Sequence, residues 1–253
     1  MLSFQPASLY QNGGAARVLR RLYLTREDHV TSIALISSSA KGAATGIPEK
    51  LVTAIPLQRK WMRWHLRTLA TWLRENILKF LTTQNIRKSA GNVNFDIIHI
   101  VSHGPFANAF DNSSLVKNKK VWVSFHDHFS TADCSFEETR SLWERADRRL
   151  VISEELGKEY QRLFDKLTFE IITDGVLEEE ISEPSHIDVT KPIIIYFAGL
   201  LHIDYYPLFR TLAEALDLLS SKKIEFKLIL RGTQKINFLD NISMMCQFLC
   251  MMW

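Results

Sequence analysis

Nowhere in the chain does an apolar run approach the roughly 18 residues that a membrane-crossing helix needs. The first residues also lack the charged-then-apolar order of a secretory leader. Cysteine is scarce. Cys134, Cys246 and Cys250 are too few and too irregularly spaced for a disulfide framework or a zinc site, so they read as core thiols in a reducing, cytoplasmic compartment. No low-complexity tract interrupts the 253 residues, and contents of 46% hydrophobic and 23% charged residues belong to an ordinary folded protein with ample core. A metal centre is not expected. His126, Asp127 and His128 are consecutive, and neighbours on an extended chain point to opposite faces, so they do not converge on one ion.

Charge is sparse overall but concentrated in one place. Between Arg59 and Lys88, eight cations face only Glu75, a local +7 in a chain of net +3, which leaves the remainder at −4. That asymmetry points to an anionic surface and away from nucleic acid bound along the whole molecule. In the same segment Met62, Leu66, Leu69, Leu73, Ile77 and Phe80 form an apolar stripe at helical spacing, expected to pack on a sheet. Trp61, Arg63, Trp64, Arg67, Trp72 and Arg74 are then left over. Such an aromatic and basic face suits a helix lying peripherally on anionic lipid, and equally a tryptophan face packed under a loop with solvated arginines.

The stretch VWVSFHDH, Val121 to His128, has the form of a buried parallel strand emerging from its sheet into polar chemistry. In open α/β sheets, ligands bind at that edge. Further strands are predicted at Met1–Phe4, short for a central strand, at Val30–Ile36, from Phe95 to an end at His103 and Gly104, and at Arg148–Ile152 and Phe169–Ile172. Gly13 and Gly14 open a helix after the first strand, where bare backbone can approach a phosphate or merely make a turn. Ser153 is a plausible helix N-cap. Strands alternating with helices predict a doubly wound parallel α/β domain over 1–176. A polar, acidic linker follows at 177–191, then the start of a second Rossmann-like domain at 192–253. In that second part Pro192–Gly199 and Glu225–Leu230 read as strands flanking a helix at Pro207–Leu219. Beyond Gln234 no period is evident, leaving two strands, too few for a stable sheet.

The order of these pieces resembles the GT-B glycosyltransferases, in particular the large retaining family of mannosyltransferases and other nucleotide-sugar enzymes. The resemblance rests on Gly13-Gly14-Ala15-Ala16-Arg17, Phe95-Asp96-Ile97-Ile98-His99, Val123-Ser124-Phe125-His126-Asp127, Ala146-Asp147 with Val151-Ile152-Ser153-Glu154, Ile172-Thr173-Asp174-Gly175-Val176 and Phe197-Ala198-Gly199. It implies a GT-B fold, an N-domain that holds a glycan or lipid-linked acceptor and a C-domain that holds a nucleotide-diphosphate sugar as substrate, with no metal. By the same resemblance His126 lines the sugar pocket and orients the sugar. Gly13, Gly14, Arg17, His103, Asp127, Ser153, Asp174, Gly175, Gly199, Arg231 and Gly232 are the further candidate binding residues.

The departures fall on the donor side. Where the family carries an Arg and then a Lys after the glycine of its second domain, this chain reads Leu200-Leu201-His202-Ile203-Asp204-Tyr205-Tyr206, and no glutamate follows Glu225 to match the family's pair. Three readings follow: a glycosyltransferase, or its acceptor-side part, with a truncated donor half; an inactive fragment; or a non-catalytic α/β module binding lipid or glycan.

Overall fold

Four residues, Leu2–Gln5, form the central strand β1, and all four are buried. The structure, a computed structural model, describes residues 1–10, 14–36, 46–53, 74–173, 178, 181–183, 192–198, 206–221, 226–232 and 248–252. The chain forms two compact units, Met1–Leu177 and Glu178–Trp253.

In the first unit the strands are β1, β2 (Thr31–Ile36), β3 (Glu49–Thr53), β4 (Ile97–Val101), β5 (Lys120–Phe125), β6 (Arg148–Val151) and β7 (Glu170–Ile171). They make one sheet in the order β3-β2-β1-β4-β5-β6-β7, every pair parallel. The chain winds outward from β1 to β3, then returns to β1's other side and winds away through β7. The reversal lies between β1 and β4, the position at which open α/β sheets bind ligands beyond the carboxyl ends of their strands. The short β1 is sufficient because it pairs on both sides, Ser3 with Ser32 and with His99.

Alternation along the strands sorts the two faces. Leu2, Phe4, Ile33, Ile98, Ile100, Val121, Val123 and Phe125 build the larger core with Ile86, Ala90, Trp143 and Tyr160. The opposite face carries Ser3, Gln5, Ser32, His99 and Ser124, all buried. There, helix α1 (Gly14–Tyr23) contributes Leu19 and Tyr23 to a smaller cluster with Leu9, Val30, Ile47 and Val101.

Helix α2 (Lys79–Gly91) follows a π-helical turn, Arg74–Leu78, and buries Thr82, Ile86 and Ala90. The expected packing of the upstream stripe is corrected at its described end, since Ile77 and Phe80 are exposed, with Leu81 beside them. A π turn inserts about one extra residue, ~100° of rotation. At its described end the period read through residue 80 thus faces outward, and a new buried one starts at Thr82.

Helices α3 (Phe136–Arg145) and α4 (Glu154–Leu163) begin at Ser135, in a capping box with Glu138, and at Ser153. The carboxyl end of α3 is closed by the buried Arg149 of β6, whose Nε donates to the Trp143 carbonyl at 2.6 Å. Tyr160 of α4 sits edge-on to both Phe125 and Trp143, at 5.2 and 5.5 Å between ring centroids.

The second unit contains β8 (Ile193–Ala198), α5 (Tyr206–Ser221), β9 (Phe226–Gly232) and β10 (Phe248–Met252), its parallel sheet ordered β10-β9-β8. Phe209, Ala213, Leu216 and Leu228 form its core. The expectation of only two strands is corrected here: FLCMM pairs alongside β9. A continuous apolar run has no period to reveal it.

Gly157, buried in α4, faces the Phe169 ring. An added Cβ would stand 2.5 Å from two of its ring carbons. Gly157→Ala should lower stability by about 1–3 kcal/mol, measured as a fall in urea midpoint. Combined with Phe169→Leu it should cost less than the sum of the two single changes.

Candidate functional site

On the far side of β4 from the switch point, the ladder between β4 and β5 runs one residue past the strands, with Ser102 N–H donating to the Ser124 carbonyl at 2.8 Å. Beyond it the β4 chain turns through His103 to Gly104, whose φ of +76° lies in the left-handed region that glycine tolerates. Gly104 N–H donates to the Ala132 carbonyl at 2.6 Å, stitching this loop to the one that follows β5. Half-buried Cys134 sits at the same junction, its thiol 3.5 Å from the Gly104 carbonyl. Burial pushes that thiol up to about 11, so it is a neutral thiol and a poor nucleophile.

On β5's side, His126 is only 8% exposed, and its Nε2 is buried without a hydrogen-bond partner. An unsatisfied buried polar atom costs about 1–3 kcal/mol. Burial, with help from His103, holds the imidazole below the usual histidine range against the opposing pull of Asp127, so it is neutral near pH 7. Asp127 faces the other way. Its Oδ2 is 3.7 Å from His103 Nδ1, both groups being partly exposed, and its backbone carbonyl accepts from the Tyr160 hydroxyl at 3.3 Å. His128 bonds Ser130 through Nδ1 at 2.7 Å and lies against Phe129. The three consecutive residues thus have three separate environments, and among the described residues no group of three or more His, Cys, Asp or Glu is placed to hold a metal ion.

The remaining candidates are distributed as follows. Gly14 is the first residue of α1, and a Cβ built there would meet nothing within 4 Å. Arg17 is exposed on the same helix. Ser153 accepts from the Leu156 N–H at 3.2 Å as the α4 cap. Arg231 and Gly232 end β9, and Arg74 opens the π turn. Gly13, Trp61, Arg63, Trp64, Arg67, Trp72, Asp174, Gly175 and Gly199 lie outside the described residues. The structure therefore brings His103, Gly104, His126 and Asp127 together at one edge. The loop leading to Gly14 leaves the same sheet from β1, two strands from β5.

One group of residues escaped the sequence reading. Gln5, Ser3, Tyr23, His99 and Ser124 are joined by buried hydrogen bonds, with Ser32 and Glu49 continuing the line. The available signal was polarity at every second position of strands that are otherwise apolar.

No family model and no curated protein matches the sequence. Among solved structures, the apo form of the lipopolysaccharide outer core galactosyltransferase WaaB matches with a TM-score of 0.53 at 14% identity, over 100% of this chain and 68% of its own. The UDP-forming α,α-trehalose-phosphate synthase of Burkholderia vietnamiensis matches with a TM-score of 0.50 at 9% identity, over 96% of this chain and 66% of its own. The fold is that of the GT-B glycosyltransferases. This GT-B chain spans about two thirds of the length of either neighbour. Among its described residues no helix is long and apolar enough to cross a membrane.

Burial, and secondarily the neighbouring His126, lowers His99 to about 3 from 6.5. Between those values the unfolded chain binds a proton there that the folded chain does not. Stability should therefore be full above about pH 6.5 and fall on acidification toward pH 3, by up to about 1.4 kcal/mol per pH unit from this group. Urea midpoints measured from pH 7 to pH 4 should show the decline, and His99→Gln should flatten it.

Proposed function

We propose that the chain is the acceptor-side part of a glycosyltransferase that moves a sugar from a nucleotide diphosphate to a glycan or lipid-linked acceptor hydroxyl, joined to the start of a donor-side domain. The observation that carries this reading is the buried, unpartnered His126 Nε2 beside the switch point of a GT-B fold. A hydroxyl-rich ligand that displaces the cover over this buried atom supplies the missing partner, and a neutral imidazole holds it by hydrogen bonding without taking a full charge from it. His126 is thereby a sugar-orienting group. The partly exposed His103 and Asp127 offer further donors and acceptors beside it. The open space at Gly14 lets a phosphate or sugar come close to the first turn of α1.

Transfer itself builds negative charge on the departing nucleotide diphosphate, and stabilising that charge is the larger part of the work. Residues 200–206 carry no lysine or arginine for it. The purified chain should accordingly bind acceptor but turn over no nucleotide sugar.

The test is ligand titration monitored through the His126 imidazole resonances. Mannosides, lipid-linked oligosaccharides and UDP- or GDP-sugars should include at least one ligand that shifts them, and His126→Ala should weaken that ligand about tenfold, the worth of one buried hydrogen bond. A panel that moves no His126 signal refutes the reading, and product formation from any nucleotide sugar refutes the expected lack of transfer.

A second reading, compatible with the first, is favoured by the exposed Ile77, Phe80 and Leu81 of the π turn and α2, at 42%, 58% and 42%. They follow directly on the basic, tryptophan-containing segment. We propose that this surface lies on anionic lipid, which would bring a lipid-linked acceptor within reach. Cosedimentation with vesicles containing about one third phosphatidylserine should exceed that with neutral vesicles, and Phe80→Glu should reduce it. Equal binding to both vesicle types would exclude the idea.

A further inference from the structure

Seven side chains connect the first loop to the strand that ends in His126, and the donor at every joint is determined. Glu49 of β3 is the fixed end, because a carboxylate accepts and does not donate. It takes the Leu9 N–H at 2.9 Å, the Ser32 hydroxyl at 2.8 Å and a Gln5 Nε2–H at 3.3 Å on Oε1, and the Ser8 hydroxyl on Oε2. The Gln5 amide must therefore turn its NH2 toward Glu49 and toward Ser32 Oγ, 2.6 Å away. Its carbonyl then accepts from Ser3 Oγ at 2.7 Å.

Ser3 has a single proton, already given to Gln5. At the 2.7 Å contact between Ser3 and Tyr23, the tyrosine hydroxyl is then the donor. Tyr23 likewise has one proton, so at its 2.5 Å contact with His99 Nδ1 the imidazole donates. His99 is neutral and has only one N–H, which leaves Nε2 bare to accept from Ser124 Oγ at 2.5 Å. Each proton points the same way, from Ser124 on β5 to Glu49 on β3.

Both ends of this line touch the candidate site. Ser124 precedes His126 by two residues. Ser8 and Leu9 belong to the loop that leads to Gly13 and Gly14, and the same loop is tied by Tyr10 hydroxyl to the Ile47 carbonyl at 2.8 Å and by Arg20 Nη1 to the Leu9 carbonyl at 2.6 Å. We propose that Glu49 and His99 are positioning residues: a one-way chain of hydrogen bonds from Ser124 to Glu49 fixes His99 as its Nδ1–H tautomer and holds the glycine-loop and His126 sides of the sheet edge in one arrangement. Directional chains of this kind strengthen each member by polarising the next.

The proposal leans on the glycosyltransferase reading only in treating that edge as a ligand site. Its test needs no sugar, so the two can fail separately. In protein labelled with 15N and 13C at histidine, His99 should carry its proton on Nδ1. In Tyr23→Phe the acceptor at Nδ1 is gone, and the proton should move to Nε2 and bond Ser124. In Glu49→Gln one of the two accepting oxygens is replaced by a donor. Amide exchange at Leu9 and Tyr10 should then rise at least tenfold, and the His126 ring signals should shift, with both effects reduced in Glu49→Asp. An Nε2–H tautomer in the unaltered protein, an Nδ1–H tautomer retained in Tyr23→Phe, or unchanged His126 signals in Glu49→Gln each overturns the proposal.

Discussion

The pairing of β1 on both of its edges is the constraint on which the rest depends. Four residues bring β2 and β4 into register, with Ser3 opposite Ser32 on one side and opposite His99 on the other. Because the chain departs in one direction and returns in the other, β1 and β4 form the point at which the strand order reverses, where sheets of this class bind ligands. The polar line across the sheet exists only in that register. A slip of one residue would turn Ser3 and Gln5 into the face occupied by Leu2 and Phe4, leaving polar atoms among apolar ones.

The two faces of the same sheet contribute differently. The face bearing Phe125, Trp143 and Tyr160 is apolar and closely packed, and it supplies most of the burial that stabilises the unit. The face under α1 is narrower and carries the hydroxyls, the amide and the imidazole. Polar groups there gain little net stability once their lost hydration is counted, but each one left unpaired would be costly. They therefore act chiefly as a requirement on geometry. The members of the polar line are satisfied, whereas among the described residues His126 Nε2 and Asn108 Oδ1 are buried without a partner.

Much of this was legible before any coordinates. Strands β4, β5 and β8 are largely apolar runs of ordinary length, ended by His103, His126 or a glycine, and they fall where periodicity places them, as does the short β6 before Ser153. The Ser153 cap was legible for the same reason, a hydroxyl directly before a helical pattern. Other features had no local signal. Strand β3, EKLVT, opens with two charges and looks like loop, because Glu49 serves buried donors contributed by distant parts of the chain. Strand β10 is uniformly apolar, and the π turn at Arg74–Leu78 changes phase without any proline or glycine to mark it. The polar line of Ser3, Gln5, His99 and Ser124 lies in three strands and becomes a network only when they are adjacent. The grouping of His103 with Asp127 likewise depends on β4 lying beside β5.

The two margins of the large sheet are charged, and one of them is short. On one side β7 has just two residues, and Glu170 is held by the Arg148 guanidinium of β6. On the other, β3 begins with Glu49 and Lys50. Unpaired backbone along such borders invites another polypeptide to add itself, and brief, ionic border strands discourage that addition. Among the described residues, the sheet ends on both sides in a strand that carries charge, and one of those charges is the carboxylate that anchors its interior.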